Sequence, residues 1–114
     1  MAYLRRYGGP YILEISNGKI REYGGPWLYE ISNGYLRRYG GAYEYDLKDG
    51  EKIRRYGGPW LLEYRNGYIR RYGGSIIAQF NGQYFRDYGG PYQYEVVGFI
   101  SHEETLALIT LLYL

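Results

Sequence analysis

One tripeptide, Tyr-Gly-Gly, returns six times along the chain and constrains the fold more than any other feature. Its copies start at Tyr7, Tyr23, Tyr39, Tyr56, Tyr72 and Tyr88, which are 16 or 17 residues apart. A second turn signal, Asn-Gly or Asp-Gly, lies between consecutive copies and starts at Asn17, Asn33, Asp49, Asn66 and Asn81. Asn-Gly between alternating apolar segments is a strong hairpin signal, because both of its residues tolerate a positive φ. The chain is therefore predicted to be a series of β-hairpins.

The segments between these turns determine how the strands pair. Both kinds of connection are too short for a crossover, so consecutive strands must be antiparallel neighbours. Proline follows Gly-Gly in four repeats and cannot donate a ladder hydrogen bond, so this turn either keeps two residues or opens to a four-residue loop. We expect the same register in both cases. The twelve predicted strands are residues 2–7, 10–16, 19–23, 26–32, 35–39, 42–48, 52–56, 59–65, 68–72, 75–80, 83–88 and 91–97.

Pairing outward from each turn assigns the side chains to two faces. The outer face is predicted to carry the charged cross-strand pairs Glu14–Arg21, Glu30–Arg37, Asp46–Arg54 and Glu63–Arg70. In the longer third repeat, a three-residue loop with a bulge keeps Leu47 opposite Ile53. The predicted inner face is apolar and consists of Leu4, Tyr11, Leu13, Ile15, Ile20, Trp27, Tyr29, Ile31, Leu36, Tyr43, Tyr45, Leu47, Ile53, Trp60, Leu62, Tyr64, Ile69, Ile76, Ala78, Phe80, Phe85, Tyr92, Tyr94 and Val96.

A C-terminal helix is predicted to cover this inner face. Ser101 and Glu104 form a capping box, and residues 105–114 are apolar nearly all round, as in a buried helix. A strand stagger near ten residues gives a barrel radius of roughly 10–11 Å, which leaves room for a helix on the axis. We therefore predict a mainly β single domain, residues 1–114. Its hairpin repeats, 2–97, form a twelve-stranded antiparallel up-and-down meander closed into a barrel around the hydrophobic helix, 101–114. The alternative is an open curled sheet covered by the helix or by a dimer partner.

Composition limits the classes of function. The net charge is only +2, whereas dedicated nucleic-acid binders carry a larger or more clustered excess. The N-terminus lacks the apolar stretch of a signal peptide, so we expect a cytoplasmic protein. Membrane insertion is not expected, because no apolar run of about 18 residues exists and spanning strands of about 9–11 residues would need an outward apolar face.

No catalytic, cofactor or metal site is predicted. His102 is the only histidine and the chain has no cysteine, so no second ligand of these types can complete a metal site. The position of His102 beside the helix cap favours a surface role. No serine has a recognisable His-Asp partnership, and no Gly-Gly step is followed by the Lys-Ser/Thr of a phosphate loop.

Two sets of residues are candidates for binding. The first is an outer belt near the Gly-Gly rim, suited to stacking on sugar rings or peptides: Tyr7, Tyr23, Tyr39, Tyr56, Tyr72 and Tyr88. The repeated Arg-Arg-Tyr sequence also suits stacking on single-stranded nucleic acid. Against that hypothesis stand the low net charge and the pairing of arginine with glutamate across strands.

The second candidate is an inner arginine ring at the same rim, formed by Arg6, Arg38, Arg55 and Arg71. We expect one of the last three to reach the final helical turn or the Leu114 carboxylate, because helix ends are electronegative. The predicted aromatic neighbours of the ring are Tyr11, Trp27, Tyr43, Trp60 and Tyr92. Glu22 and Asp87 occupy equivalent positions and moderate its charge. The alternatives are that the arginines extend into water or form an anion-binding mouth.

The repeat Tyr-Gly-Gly-Pro-Trp/Tyr-x-x-Glu-Ile-Ser-Asn-Gly-x-Ile/Leu-Arg resembles short hairpin-repeat proteins of bacteria that carry no assigned function. The resemblance covers nearly the whole chain and implies a fold but no catalytic residues. MORN repeats are similar, but they are longer and their glycine pattern differs. We expect a non-enzymatic structural or protein-interaction module, a monomer or a dimer, whose partner is a protein or a glycan. The alternative is a module that binds glycans or single-stranded nucleic acid through outer tyrosine and arginine side chains.

Overall fold

Twelve strands and one helix follow one another in the computed structural model, which describes residues 1–114. The elements are β1 (Ala2–Arg6), β2 (Tyr11–Ser16), β3 (Lys19–Glu22), β4 (Trp27–Ser32), β5 (Tyr35–Arg38), β6 (Tyr43–Asp46), β7 (Lys52–Arg55), β8 (Trp60–Arg65), β9 (Tyr68–Arg71), β10 (Ile76–Phe80), β11 (Tyr84–Asp87), β12 (Tyr92–Val97) and α1 (His102–Tyr113). Each strand pairs with its sequence neighbours, and β1 pairs with β12. The prediction of a closed twelve-stranded meander with a C-terminal helix is confirmed.

The seam between β1 and β12 is a regular antiparallel pairing. Leu4 lies opposite Val96 and Arg5 opposite Glu95. The whole molecule measures 37 × 35 × 18 Å, so the barrel is wide and short. Closure leaves no free sheet edge that could template pairing with another chain.

The Asn-Gly turns adopt the predicted geometry in three of the five hairpins. Asn17, Asn33 and Asn66 have φ values of 50°, 53° and 54°, as type I′ turns require. Around Asp49 and Asn81 the loops are longer, and side-chain oxygens of these two residues accept hydrogen bonds from backbone N–H groups within three residues. The predicted orientation of Leu47 and Ile53 is confirmed, since both are fully buried.

The Gly-Gly connections differ from the prediction and change which residues face outward. Gly9 N–H donates to the Arg6 carbonyl oxygen at 2.8 Å, and Gly8 has a φ of 73°, which together indicate a type II turn. Tyr11 then lies opposite Arg5, whereas Leu13 lies opposite Leu4. A bulge between these two pairs places one extra residue in β2. Tyr11 and Leu13 therefore point to opposite faces of the sheet instead of to the same face. The same shift occurs in every repeat.

Six residues that were assigned to the inner face are therefore outside the barrel. The predicted register holds for the inner pairs, since Leu4 lies opposite Leu13, but the turn and the bulge together move the first strand residue to the outer face. The affected residues are Tyr11, Trp27, Tyr43, Trp60, Ile76 and Tyr92. The remaining predicted inner positions include the barrel part of the core: Leu4, Ile15, Ile20, Leu36, Leu47, Ile53, Leu62, Ile69, Ala78, Phe80, Phe85 and Val96.

Helix α1 fills the barrel and begins at the Asn-Gly rim. Its first turn is held by the capping box of Ser101 and Glu104, and the Gly18 N–H donates to Glu104 Oε2 at 2.8 Å. Residues 104–110 are buried on all sides of the helix. Leu106 and Ile109 are fully buried as predicted, whereas Leu112 near the Gly-Gly rim is only partly buried. The helix is too short to cross a membrane.

Candidate binding site on the outer face of the barrel

Six equivalent rows of side chains cross the outer face, and we call them the outer rows. Each row takes one residue from each of four neighbouring strands, in the order Tyr or Lys, acid or amide, Arg, and aromatic or Ile. The first row is Tyr3–Glu14–Arg21–Trp27. Rows two to six are Lys19–Glu30–Arg37–Tyr43, Tyr35–Asp46–Arg54–Trp60, Lys52–Glu63–Arg70–Ile76, Tyr68–Gln79–Arg86–Tyr92 and Tyr84–Glu95–Arg5–Tyr11.

The acid and the arginine form an ion pair in four of these rows. Arg21 Nη2 lies 2.8 Å from Glu14 Oε2, and Arg37 Nη2 lies 2.6 Å from Glu30 Oε1. The third and sixth rows contain equivalent pairs at 3.0 Å and 2.6 Å. In the fourth row the predicted cross-strand register is present, but Glu63 contacts Arg65 Nη2 at 3.4 Å instead of Arg70. The fifth row has no acid.

Aromatic clusters link the rows near the Gly-Gly rim. Tyr3 and Tyr11 stack with ring centroids 4.5 Å apart, and Tyr23 meets Tyr11 edge-on at 5.3 Å. Two further clusters repeat this arrangement with Tyr35, Tyr43 and Tyr56 and with Tyr84, Tyr92 and Tyr7. In two others a lysine takes the first position: Lys19 with Trp27 and Tyr39, and Lys52 with Trp60 and Tyr72.

The predicted outer tyrosines are all exposed along the Gly-Gly rim, and we call them the tyrosine belt. Its six members, Tyr7, Tyr23, Tyr39, Tyr56, Tyr72 and Tyr88, expose between 48% and 58% of their surface. The surroundings of two tyrosines beneath the belt shift their pKa values. A hydrogen bond from Asn33 lowers the pKa of Tyr43, whereas burial and the nearby Glu95 carboxylate raise the pKa of Tyr84. The belt is thus a set of partly exposed phenols whose inner edges are held by neighbouring rings or lysines.

The fifth outer row lies in a groove of about 240 Å³. Gln79 occupies the position that an acid has in the other five rows, so Arg86 has no carboxylate within its row. Arg86 donates instead to the Gly90 carbonyl oxygen at 3.4 Å and forms no ion pair. Tyr68, Tyr84 and Tyr92 line the groove together with Arg86. A positive charge is therefore left without a counter-charge between aromatic side chains.

The inner arginine ring occupies the Gly-Gly rim, but its predicted neighbours were wrong. Arg6 lies 5.5 Å from the centre of the Tyr94 ring, and Arg38 lies 5.3 Å from that of Tyr29. Arg55 covers Tyr45 in the same way, whereas Arg71 lies opposite Leu62. The bulge explains the difference, because it turns Tyr11, Trp27, Tyr43, Trp60, Ile76 and Tyr92 outward and leaves the next inner residue beside each ring position.

The expected contact between the arginine ring and the helix end is also absent. Helix α1 does point toward the Gly-Gly rim, since Leu111 and Leu112 lie beside Leu13 there. No ion pair or hydrogen bond joins Arg38, Arg55 or Arg71 to the last turn or to Leu114. All four ring arginines are exposed, and the Arg38 side chain exposes 66% of its surface. In Arg6, Arg38 and Arg55 the guanidinium lies over a tyrosine ring while the side chain stays exposed to water.

His102 has a structural contact at the opposite rim. Its Nε2 donates to the carbonyl oxygen of Gly50, and its ring lies near that of Tyr64. No group of three or more His, Cys, Asp and Glu side chains is arranged to hold a metal ion.

Comparisons with family models, curated proteins and solved structures found no match. The resemblance to bacterial hairpin-repeat proteins therefore stays a prediction. The fifth-row groove was not predicted from the sequence, although a signal was present. Aligning the repeats places Gln79 in the position of Glu14, Glu30, Asp46, Glu63 and Glu95.

Proposed function

We propose that this protein is a non-enzymatic protein-interaction module that binds its partner through the tyrosine belt. The observation that carries the proposal is the exposure of six tyrosines around one rim, each about half exposed. Tyrosine and arginine are enriched at protein interfaces, because they combine a large apolar area with polar groups.

The packing of the belt supports this proposal. Tyr23 is held edge-on by Tyr3 and Tyr11, and Tyr56 is held in the same way by Tyr35 and Tyr43. A side chain that is already ordered loses little rotamer freedom when a partner binds. The belt is therefore suited to a rigid, amphipathic contact surface.

The charges on the outer face favour a protein over a nucleic acid. Four of the six row arginines are ion-paired within the fold, and the net charge of the chain is +2. Binding to single-stranded nucleic acid depends on unpaired cations that follow the phosphate backbone. A glycan is the second candidate ligand, because half-exposed tyrosine rings also suit stacking on sugars.

Three binding assays on one set of proteins test the proposal. The native protein is applied to a peptide array, to a glycan array and, at low salt, to labelled single-stranded oligonucleotides. A triple variant with Tyr23→Ser, Tyr39→Ser and Tyr56→Ser removes half of the belt. Phe99→Ser is the control, since Phe99 is an exposed aromatic residue at the other rim.

We expect the native protein to bind a subset of peptides, and the triple variant to bind them about tenfold more weakly or worse. Phe99→Ser should bind like the native protein, and circular dichroism should show that all variants retain the fold. Binding to glycans or oligonucleotides alone would contradict the proposal. Equal peptide binding by the native protein and the triple variant would contradict it as well.

A further inference from the structure

Arg86 differs from its counterparts in the other outer rows because its own row contains no acid. The nearest acid in the adjacent row, Glu95, already accepts from Arg5 Nε at 2.7 Å and from Gln83 Nε2 at 3.2 Å. Gln79, the residue directly across the strand pair, is neutral. The guanidinium nevertheless keeps its contact with the Gly90 carbonyl oxygen, as Arg37 does with that of Gly41. Arg86 is thus oriented like an ion-paired arginine.

The second outer row shows how an acid fits beside such an arginine. Arg37 Nε and Nη2 both donate to Glu30 Oε1, at 3.0 Å and 2.6 Å. A planar guanidinium suits this kind of recognition better than a lysine does, because its donors have a fixed geometry. In the fifth row the neutral Gln79 occupies this position, and both Gln79 and Arg86 line the groove.

We propose that this groove binds a carboxylate of an aspartate or glutamate side chain on a partner protein, which supplies Arg86 with the negative charge that Gln79 lacks. The inference rests on the proposed function and specifies the chemistry of the partner. Tyr92 lies opposite Arg86 and Tyr68 lies opposite Gln79, and both line the groove and supply apolar contact for the stem of the incoming side chain. Asn66 and Asn81 at the edge of the groove supply amide groups for a peptide backbone.

A single carboxylate fits the groove better than a run of phosphates. The adjacent row does contain the unpaired Arg70, but Glu63 lies opposite it, and Glu63 and Glu51 contact Arg65. These acids disfavour a polyanion that extends beyond Arg86. The groove therefore matches one negative group between aromatic contacts.

The test titrates the native protein with a Gly-Ser peptide that contains a central pair of glutamates, and with its glutamine counterpart. The side-chain Nε–H signals of the arginines are followed by NMR, and affinity is measured by fluorescence anisotropy of the labelled peptide. Gln79→Glu supplies an internal acid for Arg86 without removing any existing contact of the arginine. Asn17→Asp adds the same charge at a distant, exposed Asn-Gly turn and is the matched control.

We expect the glutamate peptide to shift the Arg86 signal and to leave the ion-paired Arg21 and Arg37 signals unchanged. Gln79→Glu and Arg86→Gln should each weaken binding about tenfold, as loss of a charged hydrogen bond predicts. Asn17→Asp should bind like the native protein. The glutamine peptide should not bind.

Equal binding by the native protein and Gln79→Glu would overturn the inference, as would binding of both peptides alike. Binding of an oligogalacturonate but not of the glutamate peptide would show that the carboxylate belongs to a sugar and would also overturn it. The array experiment reports separately on the tyrosine belt. Peptide binding that depends on the belt but is unaffected by Gln79→Glu would contradict this inference and leave the proposed function intact.

Discussion

At the scale of single residues, the outer rows show how charge and aromatic area are combined on a strand surface. Arg21 contacts Glu14 on one side, and its guanidinium carbon lies 5.0 Å from the centre of the Trp27 ring on the other. Arg54 repeats this arrangement with Asp46 and Trp60. In these two rows the arginine thereby pairs with the acid and covers an aromatic ring.

Removing the acid from such a row should destabilise the protein. Glu14 is almost completely buried, and Glu14→Gln leaves Arg21 without its charged acceptor. We expect a loss of about 1–3 kcal/mol in the free energy of unfolding, measured by urea denaturation. Glu44→Gln is the control, because Glu44 is more exposed and lies 3.7 Å from Arg38. Its loss should stay below about 0.5 kcal/mol, and equal losses in both variants would contradict the prediction.

Tyr113 gives a second prediction at this scale. Its hydroxyl group is buried without a hydrogen-bond partner, and burial, with smaller contributions from Asp87 and Tyr94, raises its pKa to about 12. The folded-state pKa therefore lies above the unfolded value of about 10, so the fold favours the neutral phenol. The free energy of unfolding should be independent of Tyr113 ionisation below about pH 10 and fall as the pH rises from there through about 12.

Tyr113→Phe should remove this part of the pH dependence. At neutral pH we expect an unchanged stability or a gain of about 1 kcal/mol, because an unsatisfied hydroxyl group disappears. Urea unfolding at neutral and at alkaline pH measures both effects. Tyr88→Phe serves as the control, since Tyr88 is exposed. An equal change in alkaline stability in the two variants would show that burial of Tyr113 is not the cause.

At the scale of elements, α1 acts as the core of the barrel. Six consecutive residues, 105–110, are buried, which no amphipathic surface helix achieves. The two threonines in this stretch satisfy their hydroxyl groups within the helix: Thr105 donates to Ser101 O and Thr110 to Leu106 O. Residues 105–110 therefore present no unpaired polar side chain to the apolar wall.

Ile109→Ala should lower the free energy of unfolding by about 2–5 kcal/mol, since a fully buried side chain leaves a cavity. Leu112→Ala should have a smaller effect, because Leu112 is only partly buried. Denaturant unfolding of both variants makes the comparison. Truncation after Ile100 should produce aggregation, because the inner face is then uncovered. A soluble, cooperative and monomeric fragment of residues 1–100 would show that the helix is not required.

At the scale of the whole molecule, the number of repeats matches the size of the helix. Twelve strands close around one helix with seventeen buried apolar residues in a single core. Barrel diameter grows roughly in proportion to strand number. Fewer strands would therefore leave too little space for the same helix.

Deletion of residues 19–34 removes one repeat and joins Gly18 to Tyr35, which preserves an Asn-Gly turn. The resulting ten-stranded barrel would have a diameter about one sixth smaller. We expect that it cannot enclose α1 and that it loses cooperative unfolding, which is measured by denaturation and size-exclusion chromatography. A cooperative ten-stranded monomer would show that the helix does not determine the barrel size.

The sequence by itself determined the hairpin repeat, the buried helix and the closed barrel. These depend on local turn chemistry and on an apolar pattern with a period of two, and both can be read from neighbouring residues. The positions of Leu47 and Ile53 were predicted correctly for this reason.

Only the tertiary structure decided where the residues after Gly-Gly point. The type II turn at Tyr7-Gly8 and the bulge after Tyr11 are two local irregularities that compensate each other, so the inner positions beyond them keep their predicted side. The apolar pattern cannot reveal such a pair, because aromatic residues such as Trp27 fit a covered outer cluster as well as the core. The fifth-row groove likewise became visible only when pairing placed Gln79 beside Arg86, because a missing counter-charge is a property of two strands and not of one.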